Sequence, residues 1–318
     1  MEDPILHFDI LVLILGWIPP KVALPLARVC SAFNNVIRSS AYAIQAMQNL
    51  CEPGNPFMNK PELIPTDFDL LFINGPPSVA DAYVRHRMQH YTHFWFNAFL
   101  LSSVKAKRRG PFPVALCSLT NLSILELSCC SRIGTVPFEI GQLINLERLD
   151  LSKNSELTGP LPDSIAALAA LKVLKISDTS INGPLPNGFS RLSNLEKIYA
   201  FNTSITGPLP SFENLVNLVM LHMANSKLTG TIPASLACCS DLERIILSKN
   251  LLVGEIPSSL GRLQQLTHLN LENNSLQGVV PDELDNLPLL ELKLGGNPEL
   301  ILKEPSLAPV ELTNPVMP

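Results

Sequence analysis

From about residue 110 onward, apolar and polar positions alternate in one recurring pattern, L-x-x-L-x-L-x-x-N. It is clearest as Leu146, Leu149, Leu151, Asn154 and again as Leu266, Leu269, Leu271, Asn274. The other rungs are Leu122/Leu125/Leu127, Leu171/Leu174/Ile176, Leu195/Ile198/Ala200, Leu218/Leu221/Met223, Leu242/Ile245/Leu247 and Leu289/Leu292/Leu294. L-x-L has the two-residue period of a strand with one buried face, so each rung predicts a short strand with leucines inward and x outward. Between the rungs stand Gly110, Gly134, Gly159, Gly183, Gly207, Gly230, Gly254 and Gly278, spaced 24, 25, 24, 24, 23, 24 and 24 residues apart. A proline follows each glycine by three residues, from Pro113 to Pro281. Glycine supplies a tight turn, and proline holds the chain extended after it. A single-core fold needs no such clock. A stack of like units does, because each unit buries its apolar face only against the next.

The polar end of each rung has its own task. An asparagine there turns its amide inward to satisfy free backbone groups of the loop. The column reads Cys130, Asn154, Thr179, Thr203, Ser226, Asn250, Asn274, Asn297, and the Thr and Ser hydroxyls can do part of that job. Each buried leucine contributes roughly 1.5–3 kcal/mol, so the array can hold itself together. With the L-T-G-x-I-P segments at Leu228–Pro233 and Leu252–Pro257, the pattern resembles the plant-type leucine-rich repeat over Gly110 to about Leu302. The resemblance implies an α/β solenoid: one right-handed horseshoe of about eight repeats, with a parallel strand per repeat on its concave face.

The N-terminal segment has helical periodicity instead. Ile10, Leu11, Ile14, Leu15 and Ile18 fall on one helix face. A Pro19-Pro20 break and one or two short helices follow, through Ile37. That apolar helix must be covered by a partner or by the rest of the chain. Leu6, Asp9, Ile10, Leu11, Ile14, Leu15 and Ile18, then Pro19, Pro20 and Lys21, then Val29, Cys30, Ser31, Phe33, Val36 and Ile37 together resemble an F-box. His7, Ala23 and Phe33 depart from the commoner residues of that family. The resemblance implies a small all-α domain over 1–45 that binds a Skp-family adaptor through Leu6, Asp9, Ile10, Leu11, Ile14, Leu15 and Pro20. A hydrophobic helical cap on the array and a degenerate signal anchor are the alternative readings of the same residues.

Residues 46–109 read as a linker and a cap. Pro53, Pro56, Pro61, Pro65, Pro76 and Pro77 interrupt any regular element. Val84, Met88, Tyr91, Trp95 and Phe99 then predict a helix over about Ser78–Ser103, covering the open end of the solenoid. His86, His90 and His93 share a face of that helix, but they lie among Arg85, Arg87 and Gln89 as a solvated face rather than a zinc site. Lys105–Arg109 is a solvated junction, with a nuclear-localisation patch as the sharper reading. Residues 303–318 carry Pro305, Pro309, Pro315 and Pro318 and form a loose tail.

Composition narrows the function classes. The chain has 318 residues, of which 46% are hydrophobic and 28 are proline, and half of the prolines fall in the repeat region 110–302. A net charge of −5 argues against general nucleic-acid binding. The apolar run Ile10–Ile18 is bounded by Asp9 and Pro19 and is too short to span a bilayer, and Glu2 and Asp3 are acidic where a secretory signal wants lysine or arginine. Cys30, Cys51, Cys117, Cys129, Cys130, Cys238 and Cys239 are odd in number, which favours reduced thiols and a cytoplasmic protein. Three N-x-S/T sequons, at Asn121, Asn202 and Asn273, weigh little against this.

No P-loop, G-x-G-x-x-G, H-E-x-x-H, C-x-x-C or G-x-S-x-G occurs, so no enzyme and no cofactor is expected. Function then falls to surface recognition on the concave strand face. Its aromatic and apolar residues gather in repeats four to six as Tyr199, Phe201, Met220, His222 and Ile246, beside Lys197 and Arg244. An apolar centre with a basic rim fits a protein or peptide of some acidic character. The combination of F-box resemblance and repeats implies the substrate-recognition subunit of a cullin-type (SCF-like) ubiquitin ligase, monomeric within its complex and free of membrane and nucleic acid. The second class is a repeat scaffold or recognition protein of the signalling or immune-receptor kind.

Overall fold

The computed structural model describes residues 110–302, apart from 113, 130 and 131, together with the backbone of His93–Trp95. The F-box-like segment, the linker and the tail lie outside the described residues. The chain divides into two compact units, residues 1–96 with 113–125 and residues 97–112 with 126–318.

In the first unit, the described elements are the strand His93–Trp95, the 3-10 turn Val114–Ser118 and the opening of the strand Ile124–Glu126. Leu116, Cys117, Leu119, Leu122 and Leu125 are its buried residues. His93–Trp95 lies hydrogen-bonded beside Ile124–Glu126. The helix expected over Ser78–Ser103 therefore does not extend through these residues. Histidine, phenylalanine and tryptophan in a row suit a pleated, half-buried surface, and an adjacent strand with free backbone groups outweighs a helical spacing of apolar residues.

The second unit is the repeat array. Its long sheet runs through Arg148–Asp150, Val173–Lys175, Lys197–Tyr199, Met220–His222, Arg244–Ile246, His268–Asn270 and Glu291–Lys293, in chain order and parallel throughout. The register sets Leu149, Leu174, Ile198, Leu221, Ile245, Leu269 and Leu292 abreast. These strands are called repeats two to eight, after Ile124–Glu126 of repeat one.

A second row of short strands follows the turn. Gly110–Pro111, Arg132–Gly134, Glu156–Gly159, Ser180–Pro184, Ser204–Pro208 and Lys227–Thr229 form one sheet, and Val253–Gly254, Ser275–Val279 and Glu299–Ile301 another. Here the G-P-L-P motif explains itself. Gly183 has φ +75°, and a Cβ there would stand 3.2 Å from Cβ of Pro160 in the preceding repeat. Gly207 meets Pro184 at the same 3.2 Å, so each proline packs on the bare backbone of the next glycine.

The return path departs from the expected α/β solenoid. Among the described residues the connections are 3-10 turns, not α-helices: Phe138–Gln142, Asp163–Ala167, Phe189–Arg191, Ala234–Cys238, Ser258–Arg262 and Asp282–Asn286. Five residues are too few to nucleate an α-helix, whereas a tighter turn closes with one bond. The motif proline opens most of them. Pro162, at φ −69°, accepts from the N–H of Ile165 at 3.0 Å, and Pro233, at φ −73°, accepts from Leu236 at 3.0 Å. The repeat between Gly207 and Gly230 spans 23 residues and has no such turn, and its inward place is filled by Phe212, 1% exposed.

The asparagine column works as its chemistry requires. Asn250 Nδ2 donates to Met223 O at 2.8 Å and Leu247 O at 2.9 Å, while Oδ1 accepts from the Leu228 N–H at 3.1 Å. Asn154, Asn274 and Asn297 repeat this arrangement. Thr179 and Thr203 supply one part of it, donating to Ile176 O at 2.7 Å and Ala200 O at 3.1 Å. One inward position breaks the pattern: Arg132, 3% exposed, stands where later repeats carry Leu157, Ile181 or Leu228, and its Nη1 donates to Pro111 O at 3.2 Å.

Leu221 is fully sealed between Ile198 and Ile245. Leu221→Asp places a carboxylate there without a partner and should cost more than about 3 kcal/mol. Thermal unfolding followed by circular dichroism should show the cooperative transition lost or lowered by many degrees; a wild-type melting curve would show the register to be wrong.

Candidate functional site

Because leucines take the inward positions, the outward positions of the long sheet form straight rows across neighbouring strands, about 4.8 Å apart. In repeats four to six these rows make a grid. Met220 lies abreast of Lys197 on one side and Arg244 on the other. His222 lies abreast of Tyr199 and Ile246. Just beyond the strand ends stand Phe201, Ala224 and Ser248, linked by the continuing ladder. All seven residues expected from sequence to bind a partner, Lys197, Tyr199, Phe201, Met220, His222, Arg244 and Ile246, therefore share one surface. The five apolar and aromatic ones are half-buried, and Lys197 and Arg244 are exposed.

The grid is braced by its own side chains. Phe201 and His222 stack with ring centroids 4.4 Å apart at an interplanar angle of 26°. Lys175 Nζ sits 5.5 Å from the Tyr199 ring centroid. Burial pushes the His222 imidazole below its ordinary range, because the stacked ring loses water that the charged form needs.

Charge divides the sheet. In repeats one to three Arg148 pairs with Glu126 and lies 3.8 Å from Asp150, which is also 3.8 Å from Lys175. That chain of ion pairs is closed on itself. In repeats four to six no acidic residue occupies the grid, and Lys197 and Arg244 form no ion pair among the described residues. The site thus keeps two uncompensated cations on either side of Met220.

Three features were not anticipated from the sequence. Ser177 Oγ, in the row of Phe201, is buried without a hydrogen-bond partner among the described residues. Asn202 donates to Asp178 at 2.7 Å and accepts from Asn225 at 2.8 Å, an amide chain along the end of the strands. The residue preceding the asparagine column has positive φ in each repeat, between 51° at Asn225 and 59° at Lys153, with Gly296 at 73°. Asp178, Asn202, Asn225 and Asn273 at that position were the available signal, since asparagine and aspartate tolerate this conformation. The adaptor-binding residues Leu6, Asp9, Ile10, Leu11, Ile14, Leu15 and Pro20 lie outside the described residues. Among the described residues Cys129, Cys238 and Cys239 are free thiols, and burial with neighbouring Cys238 raises the Cys239 thiol to about 12.

Comparison with known proteins agrees with the geometry. The Leucine Rich Repeat family model matches residues 145–168, 241–263 and 265–287. The structure of the plant peptide hormone receptor RGFR1 in complex with RGF2 superimposes with a TM-score of 0.56 at 35% identity, over 61% of this chain and 31% of the receptor. The Arabidopsis receptor kinase HAESA, in complex with the peptide hormone IDA and the co-receptor SERK1, gives 0.56 at 30% identity over 62% and 37%. A plant ice-binding protein gives 0.54 at 25% identity over 71% and 68%. In sequence, the TMV resistance protein N of Nicotiana glutinosa is 46% identical over 68 residues, 21% of this chain. The chain spans 6% of that protein and about a third of the two receptor structures, 31% and 37%. The described residues 110–302 thus form a repeat array similar to the plant-type leucine-rich repeats of these interaction scaffolds.

His222 gives the site a pH signature. Its pKa is held below the ordinary 6.5, so the unfolded chain takes up the proton first as pH falls. The contribution is fully present above about pH 6.5 and is lost as pH falls through the folded-state value. Melting temperature should drop between pH 7.5 and 5.5 more steeply for wild type than for His222→Gln; identical slopes would remove this assignment.

Proposed function

We propose that this chain is a recognition module that binds an acidic, partly apolar peptide or protein on the grid formed by repeats four to six. The observation that carries the reading is the juxtaposition of an aromatic and apolar centre with two unpaired cations. Aromatic anchors of this kind dominate binding energy, at roughly 2 kcal/mol or more each on truncation, and arginine and lysine select a carboxylate-bearing partner. The receptors that the array resembles are seen with peptide hormones, and a peptide lying across the strands is the ligand this grid accommodates. No catalytic role is assigned to it.

Tyr199→Ala with Phe201→Ala tests the site. Both side chains face away from the leucine core, so the loss of the Phe201–His222 stack should cost about 1 kcal/mol of stability. Capture of the partner by the immobilised chain should be abolished, while Ser152→Ala on repeat two should be silent. Equal capture by the double variant and wild type would place the site elsewhere.

The finer reading is that the module selects substrates for an SCF-like ubiquitin ligase. It rests on the F-box-like residues between Leu6 and Ile37. Co-purification with a Skp-family adaptor should occur with wild type and vanish with Leu11→Asp and Leu15→Asp, at an unchanged melting temperature of the repeats. A wild-type chain that captures no adaptor leaves the module as a recognition scaffold without a ligase role.

A further inference from the structure

We infer that the C-terminal edge of the long sheet is a self-association surface, and that its occupant is a second copy of this chain paired antiparallel through Glu291–Lys293. That strand is the last in the sheet, and among the described residues no strand pairs with its far side. The seal of the core weakens there. Leu266 and Leu269 are 0% exposed, but their counterparts Leu289 and Leu292 are only half-buried, and neighbouring Leu290 is 79% exposed.

The backbone of this edge follows from the repeat's own ladder. In repeat seven, Thr267 O accepts from the N–H groups of Leu290 and Glu291, and the Leu271 N–H donates to Lys293 O. Leu269 is set between them, abreast of Leu292. The same positions one repeat on are Leu290 O, the N–H and C=O of Leu292, and the Leu294 N–H. These groups face the open edge. In an antiparallel pair centred on Leu292, the two Leu292 residues exchange both bonds, and each Leu290 O meets the Leu294 N–H of the other copy. The free donors and acceptors match without a shift of register.

The side chains choose the partner. Within the strand, Lys293 Nζ lies 3.1 Å from Glu291 Oε1, with both side chains about one-third exposed at 34% and 37%. An antiparallel twofold sets Glu291 of one copy opposite Lys293 of the other, twice, with leucine against leucine between them. Glu-Leu-Lys is therefore self-complementary in the way a twofold interface demands. A foreign strand has no reason to carry that pattern. This departs from the monomer expected on the sequence.

Sedimentation equilibrium of the full chain between about 1 and 100 µM tests it, a range that covers the affinities of weak and moderate dimers. Wild type should form a dimer. Lys293→Glu places like charges opposite one another and should weaken the dimer by roughly tenfold or more, and Glu291→Lys should do the same. The double swap Glu291→Lys with Lys293→Glu restores complementarity and should return the dissociation constant to within about threefold of wild type. An equimolar mixture of the two single variants should also associate. Circular dichroism of each variant should match wild type, since the exchanged residues lie on the surface. A wild-type chain that stays monomeric, because residues after Leu302 or another partner cover the edge, overturns the inference. So does a dimer indifferent to the single charge reversals.

Discussion

Everything in the array depends on the fact that no repeat can satisfy its own backbone. A strand of three residues followed by a sharp turn leaves carbonyls pointing into a leucine core, where water cannot reach them. The asparagine column resolves this by reaching in two directions. Asn274 donates to Leu271 of its own repeat and to Leu247 of the previous one, and accepts from the Leu252 N–H. Each unit is therefore completed by its neighbour, as its leucines are, and stability is a property of the stack rather than of any repeat.

This constraint also decides where function can sit. Leucine, asparagine, glycine and proline hold the positions that keep the stack together, and a change at any of them propagates to the adjacent repeat. What remains free to vary is the outward residue of each strand and its flanks. Repeats one to three use these positions for mutual ion pairs around Asp150. Repeats four to six use them for Tyr199, Phe201, Met220, His222 and Ile246, and among the described residues no acid pairs with Lys197 or Arg244. The absence of a full asparagine in the middle repeats fits this division. Thr203 and Ser226 bond each other at 2.8 Å and share Ala200 O, so small hydroxyls serve where the surface carries the bulk.

The strand register and the seven residues of the grid were legible in the sequence because both follow from a period. Leu149, Leu174 and Ile198 are abreast for the same reason that Tyr199, His222 and Ile246 are. The connections were less legible. A period of 24 residues does not say whether the chain between proline and leucine turns as an α-helix or more tightly; its short length does, and that argument favours the 3-10 turn. His93–Trp95 was misread because helical spacing is a local signal, whereas a strand is called into place by the strand beside it. The stack of Phe201 on His222, the amide chain through Asn202 and the buried hydroxyl of Ser177 depend on side-chain rotamers that spacing does not encode. Arg132 is visible in the sequence as an exception at a leucine position, but its bond to Pro111 O is not.

A stack built on neighbour completion has a problem at its ends, and the two ends of the long sheet meet it differently. Wherever the ladder stops, one strand offers its forward-facing donors and acceptors to whatever arrives. At the beginning of the array, an aromatic strand from outside the regular repeat lies beside Ile124–Glu126. At Glu291–Lys293 the charges are arranged so that the strand complements itself. The same mismatch between a repeating core and a finite chain that fixes the asparagine column thus makes the edges the places where new contacts are most readily made. The grid on the sheet face and the open edge of the sheet are built from separate sets of residues. Met220 and Arg244 are two repeats or more away from Leu292, so the grid and the edge share neither backbone groups nor charges.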